Sequence, residues 1–543
     1  MKKDKRKIEG ITLIALVITI IVLLVLAGVT IASLSGENGI LARAAEAKRK
    51  TTEANQQENL MLQEIEGIMS DNFDGTSGGN FNDSKKVNAP RLSQGMIPIK
   101  FNGTNWVICS ENDLEWYDYQ NKKWANIMLS DGKYKNKSQV GQVVQDKELG
   151  SMFVWIPRYA YSITEYKTAK DGEGTTQNIT NVKFLQGRTN SDGTTVYPTD
   201  YDQVVSTGQP TPMIVHPAFT FGDSQLPGIW SAKFEASMAE PNENTTITNN
   251  KTDKTIKVLP NVMSWRYIQI GNIFDNCLNM NKTNNVYNIN ASIDSHLMKN
   301  NEWGAIAYLA TSQYGMTPTR NEDGKKVSEK IVAYTAGGSI EGAYKTNKSQ
   351  STNGNETGIY DLNGGTYEYV AAYWDNENEK LSIQGLDKYF KGNKLNSTYS
   401  KYWDKYEVSQ EEKDQDKKEL WIKDSASNGI RKQITDDRYN LMKGKKGDAM
   451  YEVIKMGEYS YFGKRTDELY DWIKDLKTAN TKYGYTVYNG DFALIGNCSL
   501  PFLLRGGSWG VGTNAGVFAS NSDSGSAAGF RRFPPSACSF VAL

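Results

Sequence analysis

"LLRGGSWGVGTNAGVFASNSDSGSAAGFRRF" occupies residues 503–533 and decides how the rest of the chain is read. It opens on Arg505-Gly506-Gly507-Ser508-Trp509 and regains complexity at Gly529-Phe530-Arg531. Between those anchors stand almost only Gly, Ser, Ala, Asn, Val and Asp. A low-complexity tail is the bland reading, and such framing argues against it. Two upstream segments carry equally local signals. In "NEWGAIAYLATSQYG" (Asn301–Gly315), Trp303, Ile306, Ala307 and Ala310 follow a helical period and Gly315 supplies the stop. In "GIYDLNGGTYEYVAAY" (Gly358–Tyr373), Asn363-Gly364-Gly365 can take positive φ in a tight turn. Tyr367, Tyr369 and Ala371 then alternate with Glu368 and Val370, as on a strand.

With "IWSAKFEAS" (Ile229–Ser237), these segments make four motifs in a fixed order. Together they resemble the sulfatase-modifying-factor family, whose members have a C-type-lectin-like fold. The resemblance spans roughly Gly95 to Arg531 and implies an α+β domain of short strands and few helices. It assigns the four motifs, in order, to a core strand, a helix opening with Glu-Trp, a Gly-Gly turn before a strand, and a closing hairpin. Formylglycine-generating members bind copper through two closely spaced cysteines near the last motif, and thiolates suit Cu(I) because both are soft. Here 505–531 contains no cysteine; Cys498 and Cys538 flank it. A membrane-tethered oxidase of that type is therefore an alternative, and no catalytic residue, metal or cofactor is expected.

Other relatives with this fold are variable proteins of diversity-generating retroelements. In them a reverse transcriptase alters adenines in a template, so that Asn codons become codons for many residues. Gly, Val, Ser, Asp and Ala are reachable in this way; Lys, Glu, Gln, Met and Trp are not, and those five are absent between Gly510 and Ala528. The resemblance thus implies a ligand-binding face. Its candidate residues are Trp509, Gly510, Val511, Gly512, Asn514, Ser522, Asp523, Ser524, Ser526, Ala527 and Ala528. Trp509 and Asn514, with Phe518 and Phe530, read as fixed scaffold, and the others as diversified. The implied ligand is a protein or a glycan.

The amino terminus addresses location. KKDKRK at residues 2–7 precedes an uncharged run from Gly10 to Leu34 rich in Leu, Ile and Val. At about 1.5 Å per residue a helix of that length crosses a hydrocarbon core of about 30 Å. The basic cluster should stay cytoplasmic, which leaves the body extracellular in a single-pass membrane protein. A cleaved secretory signal would need an apolar stretch of only about 7–15 residues. Ala42-Arg43-Ala44 and Ala45-Glu46-Ala47, which look like its cleavage sites, lie well past the run. The basic leader, Gly10 and the Ile11-Thr12-Leu13-Ile14 start also resemble type IV prepilins, implying cleavage after Gly10 with Ile11 as the new terminus. That family favours Phe where Ile11 stands and Glu where Ala15 stands. The glutamate serves filament assembly, so Ala15 weakens the filament reading more than the membrane one; a structural pilin or pseudopilin subunit is the second alternative, with pilin-like assembly as its partner interaction.

The remaining expectations concern organisation. The segments are a leader (1–10), a transmembrane helix (11–34), a stalk helix (35–69), a Gly/Ser/Asn/Asp linker (70–90) and a domain (91–543). "MIPIKFNGTNWVIC" reads as a hairpin around Asn-Gly, and "DLEWYDYQNKKWANIML" as a second one turning at Gln120–Lys123. "SMFVWIPRYAYSI" reads as a buried strand ending at Pro157. From about 375 to 482 dense mixed charge reads as an insertion packed on the body, with a helix in "TDELYDWIKDLKTAN". Lys plus Arg equals Asp plus Glu, 62 each, so no overall field attracts nucleic acid. Two histidines, His216 and His296, supply little for a metal site. Four cysteines allow three pairings of two disulfides, or free buried thiols.

Overall fold

The structure, a computed structural model, describes residue 21 and residues 89–134, 139–167, 176–185, 188–189, 195–196, 213–237, 255–316, 342–375, 381, 384–392, 394–407, 421–423, 430–432, 447–449, 501–507, 515–526 and 538–541. The chain divides into two compact units, Met1–Gly79 and Asn80–Leu543. Apart from residue 21 the first unit, with Gly10, Ile11 and the apolar run, lies outside the described residues, as does the helix expected near 466–479. Among the described residues no helix is long and apolar enough to cross a membrane.

The second unit is α+β, with many short strands and few helices. The Asn-Gly hairpin forms: Met96–Phe101 pairs antiparallel with Trp106–Ile108, and Gly103 takes φ 97° in the turn. Ser151–Pro157 is buried along its whole length because it lies between two strands, Asn126–Leu129 and Gly228–Ala232. Its continuous apolar run is what such a position requires. These strands belong to an eight-stranded sheet in the order 294–297, 538–541, 228–232, 151–157, 126–129, 96–101, 106–108, 143–144. The second expected hairpin is reduced to a tight turn closed by a bridge between Asp118 and Lys123, with Lys122 at φ 55°. Its aromatic residues do not alternate across a sheet. Trp116, Tyr119 and Trp124 all enter the core, and the Trp116 indole donates to Asn126 O at 2.8 Å.

A four-stranded sheet holds the carboxyl-terminal motif, in the order 404–407, 368–375, 502–505, 520–523. Asp404–Glu407 joins it in parallel with Glu368–Asp375. Part of the stretch 375–482 thus completes the sheet. Leu386, Phe390, Trp403, Tyr406 and Ala449 from the same stretch are core residues. Charge density along the sequence hid them because their partners are distant.

Two helices matter for the site: α1 (Ile270–Asn279) and α2 (Asn300–Ala310). Every residue of α2 is buried. Glu302 closes its first turn by accepting from Lys299 N at 2.8 Å, and it also meets His296 Nε2 at 3.0 Å. Against the push of burial, His296 and Lys299 hold the Glu302 carboxyl below its usual range. Gly304 faces the backbone of Gly447 so closely that a Cβ would overlap the Gly447 carbonyl. Gly304→Ala is therefore expected to destabilise the protein by about 1–3 kcal/mol through overpacking. Ala is the better helix former by about 1 kcal/mol. A gain in the denaturant midpoint would show that the close approach does not exist.

The four motifs interlock through named contacts. Lys233 in the first donates to Glu356 O and Gly358 O at 2.6 and 2.7 Å, and its own carbonyl accepts from Tyr360 N. Glu235 accepts from Thr366 N, Thr366 Oγ1 and Ser264 Oγ, directly beneath Gly365, where any Cβ would collide with the carboxylate. Burial, and then the charge of Asp361, push the Glu235 carboxyl up to about 8. Ala371 N in the third motif donates to Met298 O, just before α2. The third and fourth motifs pair as strands, with Glu368 opposite Arg505.

His216 gives the fold a pH signature. Its ring is fully buried among Tyr159, Tyr161, Phe219 and Tyr308, and Nδ1 accepts from Ala218 N at 3.2 Å. Burial pulls its pKa down to about 3. The folded state then keeps it neutral while the unfolded chain protonates near 6.5, so stability falls as pH drops from 6.5 toward 3, by at most about 1.4 kcal/mol per pH unit. Glu235 has the opposite sign, losing stability as pH rises from 4.5 to about 8. Below 4.5 only His216 of the two still contributes a slope. His216→Asn is expected to flatten the acid limb of the stability–pH curve relative to the parent, and an unchanged slope would refute the assignment.

Candidate ligand-binding platform at the carboxyl-terminal hairpin

Phe502–Arg505 and Ser520–Asp523 form the closing hairpin, with Arg505 opposite Ser520 and Phe502 opposite Asp523. Its mouth is clamped from several directions. Arg505 is fully buried, its guanidinium 5.7 Å from the Trp303 ring centre. Its Nη2 donates to Val517 O at 3.2 Å and to Ala449 O at 3.3 Å. The Trp303 indole donates to the same Val517 carbonyl at 2.6 Å. The second motif thus grips the fourth through one carbonyl oxygen.

The backbone completes the clamp. Gly506 and Gly507 both sit at φ 85°, a region costly for other residues. Gly506 N donates to Ala519 O, and Gly516 N donates back to Gly506 O at 3.0 Å. Ala515 and Phe518 are buried, Phe518 beside Tyr308. Gly507 and Ala515 therefore form the two posts of a fixed gate. The intervening residues 508–514 lie outside the described residues, and so do 527–537.

Of the expected binding residues, Trp509, Gly510, Val511, Gly512, Asn514, Ala527 and Ala528 fall in those two stretches. The four others, Ser522, Asp523, Ser524 and Ser526, come together on the return strand and the turn after it. Ser522 pairs with Leu503 within the hairpin. Asp523 is only 1% exposed, which removes its carboxylate from any outer face. It accepts from the Tyr369 hydroxyl and from Gly525 N, and burial raises its pKa against the pull of these donors. Gly525, at φ 80°, accepts from Ile270 N at the start of α1 and leaves no room for a Cβ beside Ile270 and Phe502. Asp523 is accordingly a scaffold residue and not a contact position. Ser524 and Ser526, half-buried, flank Gly525 in this docked turn.

What this arrangement does is fix the backbone on both sides of residues 508–514. Among the described residues no group of three or more His, Cys, Asp or Glu side chains could hold a metal ion. Cys109 and Cys277 are free and buried; burial pushes the Cys109 thiol up to about 12, far from a reactive thiolate. Cys538 lies on a strand opposite Leu297, while Cys498 is outside the described residues. Lys233 and Glu235, the charged residues that join the motifs, were not legible as such. On a strand they read as an outward-facing polar alternation, and only the segment 356–366 shows otherwise. No family model matches the chain, and no curated protein matches it.

Proposed function

We propose that this chain is a membrane-anchored surface protein whose second unit, a C-type-lectin-like domain, binds a protein or glycan ligand with the segment 508–514. The observation that carries the reading is the gate between Gly507 and Ala515. A buried Arg505, the Trp303 indole and two backbone hydrogen bonds hold both ends of a segment in which Trp509 is the one large side chain. Rigid ends lower the ordering cost of a recognition segment, whatever its sequence. The burial of Asp523 removes it from the diversified positions, which leaves Gly510, Val511 and Gly512 on one side and Ser522, Ser524, Ser526, Ala527 and Ala528 on the other. The anchor is the apolar run 11–34, with cleavage after Gly10.

Sequencing the DNA around the gene tests diversification. The expected result is a near-identical repeat, carrying Asn codons at 510–512 and scaffold codons at 505–507 and 523, beside a reverse transcriptase gene. A complete locus with neither feature would remove diversification. Sequencing the mature amino terminus tests the anchor: a start at Ile11 supports it, and a start at Ala45 or Lys48 supports secretion. Tight copper binding with oxygen-dependent turnover of a Cys-containing peptide would replace the binding reading with the oxidase.

A further inference from the structure

A cavity of about 690 Å³ opens between the hairpin Thr220–Gln225, the turn Ser397–Tyr402 and the start of α2. Its size falls within the range of small-molecule sites, roughly 300–1,000 Å³. None of the described residues of 505–526 lines it, which sets it apart from the clamp at the carboxyl-terminal hairpin. Phe221 and Trp403 place aromatic surface in its wall, and both are buried. Around the rim stand the hydroxyls of Thr220, Ser224, Ser397, Thr398 and Ser400.

The charges in the wall decide the ligand class. Lys299, Lys401, Asp223 and Asp404 sum to zero. Lys299 is taken up by Asp404 at 3.6 Å, and Asp404 also accepts from Asn301 N at 2.8 Å. Lys401 pairs with Asp294, and its Nζ lies 5.1 Å from the Phe221 ring centre. These two pairs do not draw in a discrete ion, because pulling one member away leaves its buried partner uncompensated; the remaining wall charge, Asp223, is exposed at the rim and disfavours an anionic ligand. Thr220 Oγ1 is engaged by the Gln225 side chain and Ser400 Oγ donates to Ser397 O, so the hydroxyls of Ser224, Ser397 and Thr398 beside the aromatic wall remain as the polar chemistry. Two wall residues add to it: Asn301 Oδ1, an acceptor, and Trp403 Nε1, a donor, have no partner among the described residues. A hydroxyl is donor and acceptor at once and serves both kinds. We propose that the cavity binds a small neutral saccharide.

The test uses the full chain in phospholipid nanodiscs on an array of neutral and acidic mono- to tetrasaccharides, followed by saturation-transfer NMR with the glycan that binds. Thr398→Trp and Ser224→Trp fill the rim from exposed positions, so the melting temperature should not move. Both are expected to weaken the neutral glycan by about tenfold or more. Val511→Trp, on the platform segment, should leave it unchanged. Binding by no array member above empty nanodiscs, or by sialylated or sulfated glycans alone, overturns the proposal. So does a glycan lost in Val511→Trp and kept in Thr398→Trp, which would assign it to the platform instead.

Discussion

Trp303→Ala is expected to cost about 3–5 kcal/mol, the range for removing a fully buried large aromatic side chain. Trp303 is completely buried in α2, and its loss does three things together. It leaves a cavity under the helix, removes the ring beneath the Arg505 guanidinium, and takes a donor from Val517 O. Trp303→Phe separates these effects. It keeps an aromatic face for Arg505 but drops the indole N–H, a loss of about 1 kcal/mol for the hydrogen bond, to which the smaller ring adds part of the cavity term. Equilibrium denaturation of the two variants should order them parent, Phe, Ala. If Trp303→Ala melted like the parent, the second motif would not support the fourth.

Lys233→Ala is the second large effect, also about 3–5 kcal/mol, because it removes two donors and a long side chain from a fully buried site. The ammonium donates to Glu356 O and Gly358 O and lies 5.1, 5.8 and 5.4 Å from the ring centres of Trp106, Phe234 and Tyr360. Burial pulls its pKa well down, and the Glu356 carboxylate pulls it back up. Two buried carbonyl oxygens left unserved cost about 1–3 kcal/mol each. Lys233→Met restores the volume without the donors, so it should recover only part of the loss in a denaturant titration. Full recovery by Met would mean that Lys233 acts by filling space, and that the first and third motifs are not joined through its hydrogen bonds.

Local chemistry was legible in the sequence; distant pairing was not. The turn at Gly103, the positive-φ pair Gly364-Gly365 and the buried strand ending at Pro157 depend on neighbours within a few residues, and each appears where its residues point. The helix opening on Glu302-Trp303 does likewise. Asp404–Glu407 has no apolar alternation and sits in charged surroundings, and its parallel partner begins with Glu368. Asp523 stands in a run of Gly and Ser that reads as exposed, and only Tyr369 across the sheet buries it. Of the candidate residues on the return side, Asp523 is the one that this burial sets in the scaffold. The clamp residues Arg505, Gly506 and Gly507 were legible as anchors, while the partners that make them anchors, Ala449 and Val517, were not.

The central claim is that a fixed clamp carries a segment whose own sequence does not hold the fold together. Two libraries test it most directly, one randomised at Gly510, Val511 and Gly512 and the other at Arg505, Gly506 and Gly507, each displayed on cells and sorted for protease resistance. The account predicts that most members of the first library resist cleavage like the parent, while nearly all members of the second are lost. Equal losses in the two libraries would contradict it.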